Sequence, residues 1–382
     1  MSDDQADRPA ADRCPGVRAP HSARDGAVAR VRLPGGVVTA VQLTELSHVA
    51  AELGDRHLEL TSRANMQIRG ITDAETVSDR LTAAELVPAT HEQVRNIAAS
   101  PQSGRVGGNA DVREHISLLD RNLQMRASLQ QLSGRFLFGL DDGRGDVLAL
   151  QPDSGAVWHS ADEAELIAGG IPTGRVVRTA DVVPAILDAA EAFLAAADGR
   201  WRMRDLDAAD HDALVQQLPG SPQSREPVVY QRTPRIGWLD QVDGNVMLGG
   251  VVAHGRITAQ LAEFLGAIGT DIVITPDREI LITDLTEGVA DTVLRVLAPL
   301  GLIFDATSPW AHISCCVGAP GCAKAGADVR GLAATRVAEL ADDADLIAPR
   351  EHWVGCDRGC GSPAGAHTLV IATADDVVTF TR

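Results

Sequence analysis

Apolar positions recur along the chain at the spacing of short amphipathic helices, and this pattern occurs twice. The first predicted helix begins at Thr44 and ends near Gly54. The second begins at Thr258 and ends near Gly269. Each helix places its apolar side chains on one face: Leu46, Val49, Ala50 and Leu53 in the first copy, and Leu261, Phe264, Leu265 and Ile268 in the second.

A predicted β-hairpin follows each helix, because apolar and polar residues alternate over 57–71 and again over 271–285. The two hairpins align when the chain is overlaid on itself with a shift of 214 residues. The same shift aligns LPGGVV at 33–38 with MLGGVV at 247–252. Two later segments repeat in nearly the same register, namely ADVR (110–113 and 327–330) and a Gly-rich stretch (138–145 and 354–361). Such agreement indicates an internally duplicated α+β chain built on ferredoxin-like units.

Composition narrows the class of protein. With 382 residues and 45% apolar content, the chain can fill the cores of several domains at roughly 100–200 residues each. A net charge of −18 argues against nucleic acid, which requires a basic face. The acidic N-terminus has no apolar run typical of a secretory signal, and no stretch approaches the ~20 apolar residues of a membrane span. We therefore expect a cytoplasmic protein without a membrane partner.

Four cysteines form two closely spaced pairs in Gly-rich loops near the C-terminus. Cys316 and Cys322 have the spacing C-x5-C, and Cys356 and Cys360 have the spacing C-x3-C. Soft thiolates suit an iron–sulfur cluster or zinc, and in a reducing compartment cysteines serve as metal ligands more often than as disulfides. Structural zinc prefers more closely spaced ligands within each pair, so the first pair favours a 4Fe-4S cluster.

Two further cysteines leave alternatives open. Cys315 precedes Cys316 and could replace it as a ligand, although we interpret it as a small buried apolar residue. Cys14 lies in a polar N-terminal stretch and is interpreted as a thiol without a metal.

Three segments of the first half, together with the four cysteines, resemble the sulfite and nitrite reductase superfamily, whose members hold a 4Fe-4S cluster beside a tetrapyrrole. The segments are TSRANMQIRG at 61–70, VRNIAASP at 94–101 and SGRFLFGLDDG at 133–143. The resemblance covers nearly the whole chain, and the cysteine pairs match its cluster ligands. It implies two ferredoxin-like half-modules and two nitrite/sulfite reductase-type α/β modules.

The duplication and the resemblance together predict five regions. They are a disordered N-terminal segment (1–25), a first ferredoxin-like half-domain (26–85), a module without cluster ligands (86–222), a second half-domain (223–300) and a module carrying the cluster (301–382).

Within the superfamily, Arg13-Cys14-Pro15-Gly16 followed by DGAVARVRLPGG at 25–36 most resembles the precorrin-3B synthase family. The oxyanion reductases place two lysines around a Phe in their basic strand, whereas this chain has Arg135-Phe136-Leu137. Losing the second cation removes charge that sulfite or nitrite needs during reduction. The resemblance implies a monooxygenase that converts precorrin-3A to precorrin-3B, by hydroxylation and lactone formation, in aerobic cobalamin biosynthesis. The alternative is a sirohaem-dependent sulfite or nitrite reductase.

A tetrapyrrole substrate such as precorrin-3A carries a rim of carboxylates, which guanidinium groups can pair bidentately. The resemblance implies that Arg63, Arg95 and Arg135 converge on the substrate, with Asn65 and Gln67 directing amides toward it. Among the first-half arginines, we interpret Arg69 as the one that is only a solvated surface residue. The second copy has Asp277 and Glu279 in place of Arg63 and Asn65, which predicts one tetrapyrrole site, not two.

The resemblance also implies the redox partners. It implies a mononuclear non-haem iron, dioxygen as co-substrate and an external reductase that uses NADH, since the chain offers no G-x-G-x-x-G turn. Three histidines lie near the motifs: His115, His312 and His352. Their spacing does not assemble a two-histidine, one-carboxylate iron site, so each is interpreted as structural and no catalytic residue is predicted.

Overall fold

The first ferredoxin-like unit begins earlier than predicted. The computed structural model describes residues 14–230, 235–341, 350–373 and 377–381. The prediction of disorder over 1–25 is wrong for its last part, because a strand forms at 21–23; residues 1–13 lie outside the described residues. The elements of the unit are β1 (His21–Ala23), β2 (Gly26–Val31), β3 (Val37–Val38), α1 (Ala40–Leu53), β4 (His57–Leu60), β5 (Met66–Ile71) and α2 (Ala74–Ala83).

Helix α1 begins one turn before the predicted start. Thr39 is its N-cap and forms a capping box with Gln42, which satisfies backbone N–H groups at the helix start. Thr44 lies inside the helix, where its hydroxyl donates to the Ala40 carbonyl at 2.9 Å. Leu46, Val49 and Ala50 are buried, as predicted from the apolar spacing.

The first α/β module follows. Its elements are β6 (Ile97–Ala99), α3 (Arg113–Met125), β7 (Phe138–Asp141), β8 (Ser154–Trp158), β9 (Glu163–Ala168), β10 (Ile171–Arg178), α4 (Val182–Ala196), α5 (Ala208–Gln217) and β11 (Ser221–Pro222). The described strands form one sheet in the order β11-β10-β9-β8-β7-β6. Helices α3 and α4 cover its apolar face around Phe136, Phe138, Trp158 and Phe193, which are fully buried.

The second half repeats this plan with a smaller module. Its ferredoxin-like elements are β12 (Gly237–Asp240), β13 (Val246–Gly250), β14 (Arg256–Thr258), α6 (Ala259–Ala267), β15 (Ile272–Ile274), β16 (Ile280–Leu285) and α7 (Glu287–Leu297). Those of the module are β17 (Ile313–Cys315), α8 (Val329–Ala341), β18 (Glu351–Val354), β19 (Thr368–Ala372) and β20 (Val377–Thr381). Thr258 caps α6 as predicted, but Phe264 is exposed rather than on its buried face.

The two ferredoxin-like units exchange strands. Strand β14 joins the first sheet, in the order β1-β2-β5-β4-β14, and β3 joins the second, in the order β12-β13-β16-β15-β3. Helices α1 and α6 pack against each other, and Gly266 permits their close approach because a Cβ there would lie 2.3 Å from Thr44 Oγ1. One hydrophobic core therefore runs through both units.

Strand pairing corrects part of the sequence repeat. Ala29 of β2 pairs with Ile68, and Leu248 of β13 pairs with Ile282, so Ala29 and Leu248 are counterparts. The sequence overlay instead places Ala29 on Asp243. The register changes at the helices, since α1 has 14 residues and α6 has 9. The match of LPGGVV with MLGGVV is therefore a coincidence of sequence, whereas the hairpins after the helices correspond as predicted.

Across the described ranges, no helix is both long enough and apolar enough to cross a membrane.

Candidate metal centre and ligand cavity

The fold gathers the four paired cysteines from two loops. Cys316 follows β17, and its backbone N–H donates to the Trp353 carbonyl of β18 at 2.9 Å. The loop after β18 carries Cys356 and Cys360. Burial raises the pKa of Cys316, and the nearby thiols of Cys360 and Cys322 raise it further. The pKa of Cys360 is raised in the same way by burial, Cys356 and Cys322. Cys316 therefore lies near Cys360 and Cys322, and Cys360 lies near Cys356 and Cys322. We call these four thiols the thiol cluster.

This thiol cluster fits a metal group that binds thiolates. The backbone N–H groups of Gly355 and Gly318 donate to the Cys316 sulfur and favour its thiolate, which partly opposes the effect of burial on its pKa. Gly318 has φ of 69°, and a Cβ there would lie 2.8 Å from Val329 N, so the loop needs glycine at this position. Four soft donors, one of which accepts N–H···S bonds, suit an iron–sulfur cluster.

The first module has serine and carboxylates where the second has thiols. Ser100 N donates to the Leu140 carbonyl as Cys316 N does to Trp353, so Ser100 is the counterpart of Cys316. The Ser100 hydroxyl accepts from Asp142 N and donates to Asp146 at 2.6 Å. Asp141 then accepts four backbone N–H groups of the loop: those of Gly143, Gly145, Val147 and Leu148. Hydrogen bonds to carboxylates thus organise this loop.

A cavity of about 930 Å³ lies beside the thiol cluster. Cys14, Cys315, Cys316 and Cys360 line it. Among the described residues, eight arginines and two carboxylates (Glu59 and Asp205) also line it. The arginines are Arg30, Arg63, Arg135, Arg202, Arg204, Arg278, Arg330 and Arg358. Although the whole chain is acidic, this cavity is strongly positive, and it suits a ligand with several negative charges.

Two of these arginines have no carboxylate partner among the described residues. Among the described residues, Arg63 makes a hydrogen bond to the Arg135 carbonyl at 3.1 Å, and Arg30 makes one to Gln67 Oε1 at 3.3 Å, but neither pairs with a carboxylate. Burial and the nearby Arg202 lower the pKa of Arg63 to about 10. Burial also lowers the pKa of Arg30. An anion in the cavity would relieve both costs.

The structure brings together only some of the predicted ligand-binding residues. Arg63, Gln67 and Arg135 line the cavity, and Arg135 lies over the Trp201 ring with its guanidinium carbon 4.4 Å from the ring centroid. Asn65 does not line it: this side chain is buried and accepts a hydrogen bond from Leu33 N at 2.8 Å. Asn65 thus holds the hairpin turn in place.

Arg95 also lies outside the cavity, contrary to prediction. Its guanidinium forms a bidentate pair with Asp120 of α3, at 2.6 and 2.8 Å, and is buried. We expect Arg95→Ala to lower the free energy of unfolding by about 3 kcal/mol, because it leaves the partly buried Asp120 without its partner. The affinity of the folded Arg95→Ala variant for a ligand of the cavity should stay within about twofold of the wild-type affinity. Urea unfolding and ligand titration of the same variant check this, and a large loss of affinity with unchanged stability would contradict it.

Arg69 is not a solvated surface residue. It is buried, pairs with Asp25 through two hydrogen bonds of 3.0 and 2.8 Å, and donates to the Gly321 carbonyl at 3.3 Å. Gly321 precedes Cys322, so Arg69 ties the first hairpin to the loop that bears the cysteine. No local pattern in the sequence indicated this role, because Arg69 and Gly321 are 252 positions apart.

The three histidines near the motifs have structural partners. His352 is buried, contacts Ser314 Oγ and the Cys360 carbonyl, and has a pKa lowered by burial to about 3, so it stays neutral. His115 packs edge-on against Trp158, and His312 contacts the Ala306 carbonyl. The cavity is lined instead by His254, whose Nδ1 lies 3.6 Å from the Cys315 sulfur.

Sequence patterns did not single out most of the cavity arginines. Arg30 lies on β2, and Arg278 lies in the turn before β16. Trp201, Arg202 and Arg204 come from the segment between α4 and α5, which has no helical or strand periodicity. For Arg30, a signal was available in the sequence, because Arg30 and Arg32 alternate with the apolar residues Ala29, Val31 and Leu33 as on one face of a strand.

The duplication provides a second, nearly filled counterpart of the cavity. A space of about 10 Å³ is bounded by Asp146, Tyr230, Arg235 and Asp277, among other residues. Arg235 fills it and pairs with Glu279 at 2.7 Å and with Asp277. Asp277 and Glu279 are the residues that replace Arg63 and Asn65 in the second copy. Among the described residues, therefore, the large cavity has one copy.

These features define a duplicated α+β protein with a thiol cluster beside a cationic cavity, the arrangement expected of the sulfite and nitrite reductase superfamily. Residues 21–84 match the nitrite/sulfite reductase ferredoxin-like half domain. The chain is 26% identical to a precorrin-3B synthase from Sinorhizobium sp, over 94% of this chain and 80% of that protein. It is 24% identical to a ferredoxin–nitrite reductase from Synechococcus elongatus, over 88% and 74% respectively.

Comparison with solved structures agrees with the predicted α+β fold. The structure of the Mycobacterium tuberculosis NirA protein superposes with a TM-score of 0.74 at 17% identity, covering 93% of this chain and 73% of that one. The matches confirm the predicted α+β fold and the resemblance to the superfamily.

Proposed function

We propose that this protein is an oxidoreductase of the precorrin-3B synthase type, which holds a 4Fe-4S cluster through Cys316, Cys322, Cys356 and Cys360 and binds a polycarboxylate tetrapyrrole beside it. The substrate would be precorrin-3A, hydroxylated with dioxygen and closed to a lactone, with electrons from an external NADH-dependent reductase. A cluster at the four thiols would supply those electrons one at a time. The similarity to the Sinorhizobium precorrin-3B synthase supports this choice within the superfamily.

The observation that carries the proposal is the cavity itself. Its volume of about 930 Å³ lies in the range of large organic ligands, far above the need of sulfite or nitrite alone. Carboxylates around a macrocycle would pair with Arg30 and Arg63, whose charges have no carboxylate partner among the described residues. The Trp201 ring, stacked with Arg135, adds an aromatic wall suited to a flat macrocycle.

Product analysis tests the reaction. Protein with a complete cluster, purified anaerobically, is incubated with precorrin-3A, reductant and oxygen, and we expect a hydroxylactone that carries one oxygen atom from dioxygen. Labelling with heavy dioxygen and mass spectrometry identify that atom. Unchanged precorrin-3A in the presence of an intact cluster would refute the proposed reaction.

A sirohaem-dependent nitrite or sulfite reductase is the second candidate, because the nitrite reductase relatives cover most of this chain. Leu137, at the position of the missing second cation, is buried against Ala98 and Val147 and does not line the cavity. The cavity arginines nevertheless supply ample charge, so Leu137 alone does not separate the two reactions. The visible spectrum separates them: bound sirohaem gives a strong Soret band, whereas a cluster alone gives a broad shoulder.

A further inference from the structure

Arg278 connects the ligand cavity to the loop that carries Cys360. It lies in the turn between β15 and β16 and lines the cavity. Its Nη2 donates to the Gly361 carbonyl at 2.5 Å, directly after Cys360. Its Nη1 is buried and has no hydrogen-bond partner among the described residues. One guanidinium therefore holds the cysteine loop through Nη2, while Nη1 has no protein acceptor among the described residues.

Two glycines make room for this side chain. A Cβ at Gly255 would lie 2.7 Å from Arg278 Cδ, and a Cβ at Gly361 would lie 2.6 Å from its Nη2. Both glycines have positive φ, of 64° and 82°, so other residues would be strained there as well as crowded. Glycine at 255 and at 361 therefore leaves the space through which the Arg278 side chain reaches the loop that carries Cys360.

The duplication shows that the turn itself does not require arginine. The counterpart of Arg278 in the first hairpin is Ala64. Both residues have left-handed backbones, with φ of 63° and 56°, and both backbone N–H groups close the same kind of turn. Because alanine suffices in one copy, the long charged side chain in the other serves something beyond the turn.

We propose that Arg278 is a positioning residue that couples the two sites: Nη2 holds the loop after Cys360, and Nη1, which is buried in the protein without ligand, turns toward the cavity and donates a hydrogen bond to a carboxylate of the bound tetrapyrrole. The inference rests on the proposed function. A ligand carboxylate neutralises positive charge beside the cysteine loop, so addition of an electron to a cluster there becomes less favourable. By linkage, the ligand must bind less tightly to the reduced protein than to the oxidised protein, by the same factor.

The test measures ligand affinity in two oxidation states. Uroporphyrin I, a tetrapyrrole with eight carboxylates, is titrated anaerobically into protein with a complete cluster, before and after reduction. We expect its Kd to rise about tenfold on reduction in the wild type, which corresponds to ~59 mV in the midpoint potential of a one-electron couple. An EPR-monitored redox titration with and without uroporphyrin I measures that shift independently.

Variants then assign the effect to Arg278. Arg278→Gln should reduce the ratio of the two Kd values to below about twofold, and Arg278→Lys, which keeps the charge, should retain part of it. Arg204→Gln is the matched control, because Arg204 lines the cavity but bonds to Gln151 at 2.8 Å rather than to the cysteine loop. It should weaken binding equally in both states and leave the ratio unchanged.

Each outcome decides a different claim. A wild-type ratio of one, or an unchanged ratio in Arg278→Gln at full iron and sulfide content, overturns the coupling while tetrapyrrole binding stands. If Arg278→Gln does not fold, the ratio of the two Kd values in the wild type and in Arg278→Lys still tests the coupling. Failure of uroporphyrin I to bind the wild type in either state would overturn the proposed function, and the coupling with it.

Discussion

Replacing Cys356 by serine is expected to remove the iron and acid-labile sulfide of the purified protein almost completely. Serine offers a hard, poorly ionised oxygen where the cluster needs a thiolate. Stability should fall as well, because the described residues of the second module bury a small core of Ile313, Cys315, Val329, Ala333 and Leu340. A core of this size depends on cross-links or metal for stability. We expect thermal unfolding to begin roughly 5–10 °C lower, as monitored by calorimetry.

Cys14→Ser is the matched control for this loss. Cys14 lines the cavity, so it is closer to the site than its place in a polar stretch of sequence indicated. It is not among the thiols whose proximity raises the pKa of Cys316 or of Cys360. The control should keep its sulfide, its visible absorption and its unfolding temperature. Equal iron and sulfide in the two variants would show that the ligand assignment is wrong.

Arg63→Ala is expected to weaken the binding of uroporphyrin I by about 10- to 150-fold. This range corresponds to the ~1.5–3 kcal/mol of a hydrogen bond to a charged group. The stability of the protein without ligand should change little, since burial and Arg202 already disfavour the Arg63 charge and lower its pKa to about 10. Fluorescence titration gives the affinity, and urea unfolding gives the stability.

Arg178→Ala provides the comparison for Arg63→Ala. The Arg178 side chain is 78% exposed, pairs with nearby Asp181 and does not line the cavity. Arg178→Ala removes one positive charge, as Arg63→Ala does, so any general electrostatic effect on ligand binding appears in both variants. Equal losses of affinity in the two variants would show that Arg63 does not contact the ligand.

The sequence predicted best those features that depend on local spacing. The paired cysteines lie in two short loops, and the fold brings these loops near one another as their spacing suggested, whereas the metal centre itself stays a prediction. The hairpins were found because alternation is local, and the correspondence of 57–71 with 271–285 holds in the structure. The apolar face of α1 was likewise readable, although its start was not, because Thr39 and Thr44 are both plausible caps.

Features that depend on distant contacts could not be predicted. Nothing near Arg95 in sequence indicates that Asp120 will pair with it. The exchange of β3 and β14 between sheets leaves no trace in hydrophobic periodicity, since strands paired within one unit or between units have the same pattern. Arg202 and Arg278 reach one cavity from opposite halves of the chain, and only the folded structure brings them together.

The most direct test of the central claim measures the distance between the two sites. Copper(II) uroporphyrin I, which carries an unpaired electron, is bound to protein whose cluster has been reduced, and EPR detects magnetic coupling between the two spins. We predict one copper porphyrin per chain with strong dipolar broadening of the cluster signal, and lower occupancy with correspondingly less broadening in Arg63→Ala at the same concentrations. A tightly bound copper porphyrin that leaves the cluster signal unchanged would contradict the claim that the thiol cluster and the arginine-lined cavity share a wall.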